Sequence, residues 1–400
     1  MDRVVVVGGS LAGLRSAQAL RREGFAGEIV VVDPDPDGPY DRPPLSKAYL
    51  TGDVAADAVR VPVNGLDELD LSWRRVSAVG LDATRRELTL DDGSSIVPDG
   101  IVLACGATPR RLPGTEQMTG VHVLRGLADA RGLRADLDAG PRRVAVIGGG
   151  FIGAEIAASA RRRGHDVTIV EALERPLARV LPASLAERGA ALHRANGVEL
   201  RVGVGVDRIA EDPSHRAVGV ELADGSEVAA EVVVVGIGVI PNDGWLDGSG
   251  LELADGVVCD EMLFAAPGIV AAGDVARWAS PRFGERVRVE HWENAVDMGT
   301  HAGRNLLARS RGEVAEPYDP VPWFWSDQYD RKIQLAGRCA SDDIVQVIED
   351  DHETGRFLAL IGRGDELVGV FGINRPAPVQ RWRTRIAEGT TWFEALAEVD

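Results

Sequence analysis

Small residues followed by an acid recur twice in this chain, at a spacing suited to holding a dinucleotide. The first set is Gly8, Ser10 and Gly13, with Asp33 20 residues beyond Gly13 and Asp35 two further on. The second is Gly148, Gly150 and Gly153, with Glu171 18 residues beyond Gly153. In G-x-G-x-x-G spacing the backbone turns tightly and approaches a pyrophosphate, whose charge is held by free N–H groups and the positive end of a helix. An acid at the end of the next strand accepts from an adenosine ribose 2′-hydroxyl and repels a 2′-phosphate. Glu171 therefore favours NADH over NADPH, although Arg175 and Arg179 follow closely and are placed to meet a 2′-phosphate. In the first set Asp33 or Asp35 takes the ribose. Ser10 stands where the pattern has its middle glycine and is small enough for a slightly altered turn.

The flanking elements place these residues. Val4–Val7 reads as a buried strand, GGSLAG as the turn and LRSAQALRREG as a helix; Val144–Ile147, GGGFIG and AEIAASARRRG repeat that order 140 residues later. A lone glycine motif is weak, but strand, turn, helix and acid in sequence are what a dinucleotide site requires. The duplication extends further. The turns DDGSS (91–95) and ADGSE (223–227) precede the apolar runs IVLACGATPR and VVVVGIGVIPN, so each copy reads as a doubly wound unit with a small β-meander before its last strand. Ala104 with Gly106, and Gly236 with Gly238, end those last strands and bring backbone close to a ligand. After the second copy, GIVAAGDVA puts Gly273 and Asp274 behind another buried strand, with a helix expected to follow. The alternative there is an ordinary N-cap aspartate.

Composition bounds the rest. A chain of 400 residues exceeds the usual size of one core and implies two or three domains. Apolar content of 45% and charged content of 26% fit an ordinary globular protein. No apolar run reaches the length of a membrane span, and the first strand begins at Arg3 or Val4, leaving no room for a signal peptide; a cytoplasmic protein is expected. Cys105, Cys259 and Cys339 form no C-x-x-C pair, which argues against a redox disulfide. The histidines show no ligand spacing, so no metal is expected. A net charge of −18 disfavours nucleic acid and anionic membrane as partners. From Tyr318 the texture changes. YDPVPWFWSDQYDRK, with WFW on a predicted loop edge, precedes strand-like IQLAGR, DIVQVIED, RFLALIGR and ELVGVFGI and an amphipathic tail, a small α+β segment.

PYDRPPLSKAYL at 39–50, both glycine motifs, ACGATPRRLPG, GIGVIPN, AAGDVA, RVEHWENA and VPWFWSDQYDRK together resemble the FAD-dependent ferredoxin reductases of oxygenase systems, over essentially the whole length. The resemblance implies an α/β, glutathione-reductase-like fold. It has an FAD domain at 1–112 and 241–318, an NADH domain at 113–240 and a reductase C-terminal domain at 319–400. It assigns Lys47 to the flavin N5 region, paired with Glu155, as the catalytic residues. Gly8, Ser10, Ala12, Gly13, Asp33, Asp35, Arg42, Pro44, Val76, Ala104, Gly106, Arg125, Gly273, Asp274, Glu290, His291 and Trp292 would line the FAD site, with Trp325 beside the isoalloxazine. Gly148, Gly150, Ile152, Gly153, Glu155, Glu171, Arg179, Gly236 and Gly238 would take NADH. Three positions depart from the family pattern: Cys105 for Thr, His291 for Ser and Met298 for Gln.

The resemblance implies that NADH gives hydride to FAD and that single electrons pass to a small iron–sulfur ferredoxin, in a monomer or homodimer. An NADH oxidase, a rubredoxin reductase or an NADH-responsive binding flavoprotein are the competing expectations. A ferredoxin of this kind is usually acidic, which draws attention to Arg304, Arg309 and Arg311, and to Arg381, Arg383 and Arg385, as basic clusters.

Overall fold

The computed structural model describes residues 1–60 and 67–399. The chain forms two compact units. The first comprises Met1–Asp41, Arg60–Thr108 and Ile240–Pro322, and the second Arg42–Val59, Pro109–Val239 and Trp323–Asp400. Among the described residues no helix is long and apolar enough to cross a membrane.

In the first unit, strand Arg3–Val7 runs parallel between Glu28–Val32 and Gly100–Leu103. Leu71–Arg74 and Ile269–Ala271 extend the sheet in parallel on its two sides, and Phe264–Ala266 ends it antiparallel. Val4, Val5 and Val6 are fully buried, because a central parallel strand is covered on both faces and so reads as an unbroken apolar run. The helix Leu11–Arg22 is rich in Ala, Leu and Arg, which are good helix formers, with Gly13 and Ser16 its only weaker ones, and it places Arg21 and Arg22 at the negative end of its dipole. Against it lies the helix Trp292–Ser310. Ser16 Oγ donates to Gly299 O at 2.8 Å, and a Cβ on Gly299 would fall 2.3 Å from Ala12 O, so only glycine permits this approach.

The second unit repeats the plan. Arg143–Ile147 runs parallel between Asp166–Glu171 and Val232–Val235, with Glu199–Val202 and Val121–His122 outside them. Its glycine-loop helix, Phe151–Arg162, again ends on a pair of arginines, Arg161 and Arg162. The meanders expected before the last strand of each copy are present, with the DG turn joining the second and third strands: Ala78–Asp82, Glu87–Leu90 and Ser95–Ile96 in the first unit, Val206–Glu211, Ala217–Leu222 and Glu227–Ala229 in the second.

The C-terminal segment is an antiparallel sheet in the order Trp323–Gln328, Arg331–Gly337, Glu366–Ile373, Arg356–Arg363, Ile344–Asp351. Helix Pro376–Ala387 follows it, with Trp382 fully buried. WFW lies within a strand, not on a loop edge, because aromatic side chains pack well on a pleated surface. Trp323 and Trp325 stack on one face at 5.3 Å, while Phe324 points to the other and meets Phe151 at 4.3 Å. Ile333, Leu335, Phe357 and Phe371 share one apolar cluster with Leu177, Leu181 and Leu185, which joins this sheet to the body of the second unit. One expectation fails locally. Gly273–Val275 is a single 3-10 turn that runs into the strand Ala276–Ser280, whose burial alternates as a strand requires; the next α-helix starts only at Trp292.

Candidate active site

Parallel strands deliver the first unit's candidate residues to one edge of its sheet. Gly8 follows Val7, Asp33 follows Val32, Val76 lies two residues beyond Arg74, Ala104 and Gly106 follow Leu103, and Gly273 with Asp274 follow Ala271. The carboxyl edge of such a sheet is where ligands bind in open α/β folds. Gly8 takes φ +104°, and a Cβ there would sit 2.3 Å from Ala104 O; at Gly13 it would sit 1.9 Å from Gly8 O. Neither position accepts a side chain. Ser10 caps the helix Leu11–Arg22 with extended backbone, leaving the first-turn N–H groups aimed outward. Asp33 Oδ2 accepts from Gly9 N at 2.5 Å and Oδ1 from Asp35 N at 2.8 Å. Asp35 in turn accepts from the Tyr40 hydroxyl at 2.9 Å. A carboxylate offers about four acceptor positions, so Asp33 retains capacity for a ribose hydroxyl.

The second unit reproduces this loop in detail. Gly148 takes φ +100° with a Cβ position 2.3 Å from Gly236 O, and a Cβ on Gly153 would lie 2.1 Å from Gly148 O. Glu171 Oε2 accepts from Gly149 N at 2.8 Å and Oε1 from Leu173 N at 2.9 Å. At Gly150 a Cβ would meet nothing within 4 Å. That explains Ser10, because the equivalent place in the first copy has room for a side chain. Arg175 is engaged by Glu187 and Glu174 at 3.4 and 3.3 Å, while Arg179 is exposed. Ile152 is 44% exposed at the start of the loop helix, and Gly238, at φ +96°, follows the last strand.

Around the first unit's loop, Ala12 and Asp274 are buried and Val76 packs against the core. Two of the three departures from the family pattern, Cys105 and Met298, make side-chain hydrogen bonds. Cys105 Sγ donates to Asn242 O at 3.1 Å, and Asn242 Nδ2 returns a bond to Cys105 O at 2.8 Å. Met298 is fully buried, and its sulfur accepts from Gly273 N at 3.2 Å. His291 caps the helix Trp292–Ser310, and burial pushes its imidazole down to about 4 against the opposing pull of Asp274. It is therefore neutral at pH 7. Trp292 Nε1 donates to Asp41 Oδ1 at 3.0 Å, and Glu290 accepts from Arg288 at 2.6 Å.

A buried polar cluster of the second unit surrounds Glu155. This residue lies one turn into the loop helix and is 5% exposed. Its Oε2 accepts from Lys47 Nζ at 2.7 Å and from Ser46 Oγ at 2.5 Å; its Oε1 accepts from Ser326 Oγ at 2.8 Å. The Pro43–Ser46 turn, which contains Pro44, positions Lys47, whose ammonium also donates to Pro43 O at 3.2 Å. Arg42, just before that turn, donates from Nη1 to Arg125 O at 3.1 Å. Trp325 lies with Lys332 Nζ 5.9 Å from its ring centre. Ser46, Ser326 and Gln328 are the members that sequence reasoning missed; SK and WSDQ hold them, but nothing local distinguishes a buried serine from a surface one. In each basic cluster one arginine is paired with acids, Arg304 with Glu23 and Arg385 with Glu388 and Glu398, while Arg309 lies over the Phe264 ring and Arg381 over the Trp382 ring.

Comparison with known proteins agrees with this architecture. Residues 2–299 match the family model of pyridine nucleotide-disulphide oxidoreductases, and residues 323–398 match the reductase C-terminal model. The chain is 38% identical to rhodocoxin reductase of Rhodococcus erythropolis, covering 93% of this chain and 86% of that one. It is 36% identical to the ferredoxin–NAD(+) reductase component of the p-cumate 2,3-dioxygenase system of Pseudomonas putida, covering 96% and 93%. Its fold superposes on putidaredoxin reductase in the covalent complex with putidaredoxin with a TM-score of 0.91 at 31% identity, over 97% and 93% of the two chains. The chain thus belongs to the pyridine nucleotide-disulphide oxidoreductase family and carries its reductase C-terminal domain.

Proposed function

We propose that this protein is a cytoplasmic NADH-dependent ferredoxin reductase that passes electrons through FAD to a small iron–sulfur protein serving an oxygenase. The observation that carries the reading is the pair of matched loops, each with a glycine that no side chain can replace and an acid hydrogen-bonded back to the loop. One chain so equipped holds two dinucleotides. Its relatives, which include rhodocoxin reductase and the ferredoxin–NAD(+) reductase component of a dioxygenase system, support ferredoxin as the acceptor.

The first unit fits FAD. Gly8 and Gly13 leave the space that a pyrophosphate needs, Asp33 or Asp35 accepts from the ribose, and Ala104, Gly106, Gly273 and Asp274 line the same sheet edge. FAD, when bound there, supplies the conversion from a two-electron hydride to single electrons. The second unit's loop and Glu171 would hold NADH, and the same unit carries the Lys47–Glu155 pair, with Glu155 on the helix that leaves the loop. The contribution of these residues to hydride transfer is alignment, which is worth several orders of magnitude when reacting atoms are held near contact. Lys47 would supply the positive charge that favours added electron density on a reduced ring.

The test is the visible spectrum of the purified protein before and after anaerobic NADH, followed by ferredoxin. A yellow protein that bleaches with NADH and regains colour on adding ferredoxin is expected. Protein that stays colourless when flavin is supplied, or that consumes oxygen rapidly without a carrier, overturns the reading.

A further inference from the structure

Glu155 carries more protein hydrogen bonds than an ion pair with Lys47 requires. A carboxylate this deeply buried is costly unless it is paired and hydrogen-bonded. Lys47 engages only one of its oxygens, which leaves the plane of the carboxylate free to swing about its last bond. Two serines remove that freedom. Ser46 Oγ adds a second bond to Oε2, and Ser326 Oγ takes Oε1 from the C-terminal strand Trp323–Gln328. Ser326 is itself fixed. It is fully buried and its oxygen accepts from Gln328 Nε2 at 3.0 Å, with Gln328 1% exposed. Because an ionised carboxylate only accepts, the Ser326 hydrogen must point to Glu155. The bonds therefore run one way, from Gln328 to Ser326 to Glu155.

We infer that Ser326 and Ser46 are positioning residues for the NADH reaction: they set the plane of the Glu155 carboxylate and, through it, the location of the Lys47 ammonium. The C-terminal segment thus takes part in the nicotinamide site, in addition to packing against its unit. Period-two alternation accounts for the placement. Phe324, Ser326 and Gln328 share the strand face on which Phe324 meets Phe151, and Phe151 opens the helix that carries Glu155.

This inference rests on the NADH reading above, and a double-mutant cycle separates the two. Anaerobic stopped-flow is used to follow flavin reduction by NADH in the wild type, Ser326→Ala, Ser46→Ala, Glu155→Ala and the two Ser-Glu double variants. Ferricyanide reoxidation and FAD content serve as controls. Ser326→Ala is expected to slow flavin reduction about tenfold, the scale on which small misplacements act, with reoxidation unchanged and the rate restored in Ser326→Thr. If the serines act through Glu155, each double variant is no slower than Glu155→Ala alone. Wild-type rates in Ser326→Ala, or effects that multiply in the double variants, overturn the inference. Should Ser326→Ala fail to fold, the Ser46→Ala cycle decides by the same criterion, since the backbone carbonyl of Ser46 that holds Ser159 is retained. Failure of the underlying reading looks different, because the wild-type flavin would then not be reduced by NADH at all.

Discussion

Glu171 and Gly149 are joined by a 2.8 Å hydrogen bond from the loop backbone to the carboxylate at the end of the next strand. The same acid thus shapes the turn and, in the function proposed above, would accept from the ribose. Glu171→Ala removes both roles, and a charge-assisted hydrogen bond is worth about 1.5–3 kcal/mol. The expected result is a fall in kcat/KM for NADH of roughly 10- to 100-fold, with a much smaller change for NADPH. Arg175 does not provide a ready phosphate site, because Glu187 and Glu174 already engage it. Steady-state kinetics with both nucleotides decide the matter; an unaltered ratio between them would remove Glu171 from the binding role.

The two glycine loops make opposite forecasts at neighbouring positions. Gly8→Ala forces a side chain into φ +104° with its Cβ 2.3 Å from a carbonyl oxygen, and neither the strain nor the clash can relax without moving the strand that ends at Leu103. This variant is expected to be isolated without flavin. Gly150→Ala meets open space at an ordinary φ of −72°, and the first copy already carries serine at that place. Near-normal NADH kinetics are expected. The ratio of visible to protein absorbance after purification checks the first and stopped-flow the second, and a Gly8→Ala protein retaining full flavin would contradict the cradle described for the first unit.

What the sequence displays plainly are positions where the backbone itself dictates the residue. Gly8, Gly13, Gly148 and Gly153 stand out because nothing larger fits, and Val4–Val7 because a doubly covered strand must be apolar throughout. Ser326 is different. It reaches Glu155 across 171 residues of chain, and no local pattern records a partner at that distance. The turn after Asp274 escaped for a related reason: Gly-Asp suits a helix start and a single 3-10 turn equally well, and the strand pairing of Ala276–Ser280 with Val257–Cys259 chooses between them.

The thiols bear on the family's disulphide label. All three cysteines are free, and burial pushes Cys105 up to about 11 and both Cys259 and Cys339 up to about 12. Thiolate is the reactive form, so iodoacetamide at pH 7.5 is expected to label the native protein very slowly and all three cysteines rapidly after denaturation. NADH-driven ferredoxin reduction should survive the treatment. Rapid native labelling accompanied by loss of activity would restore a thiol to the electron path. Mass spectrometry of the alkylated peptides identifies which cysteine is involved.

His193 links the helix Ala183–Ala195 to the turn at Tyr329 that follows Gln328. The phenol lies 2.8 Å from His193 Nδ1, and Tyr329 holds φ +56°. Burial pushes the imidazole from 6.5 to about 4 and the phenol upward, so a neutral ring and a neutral hydroxyl share this hydrogen bond near pH 7. The folded state then binds fewer protons at His193 than the unfolded state between about pH 4 and 6.5. Stability from this group is complete above pH 6.5 and is lost as pH falls through that window, at up to about 1.4 kcal/mol per pH unit. His291 is shifted the same way and steepens the decline. Urea unfolding from pH 4 to 8 should show the loss, and His193→Leu should flatten it. Tyr329→Phe strands the buried nitrogen and should cost about 1–3 kcal/mol at pH 7. Because that turn closes the strand bearing Ser326, Tyr329→Phe should also slow flavin reduction. Equal stability in Tyr329→Phe and wild type at every pH would show that the His193–Tyr329 contact supports neither the fold nor the strand.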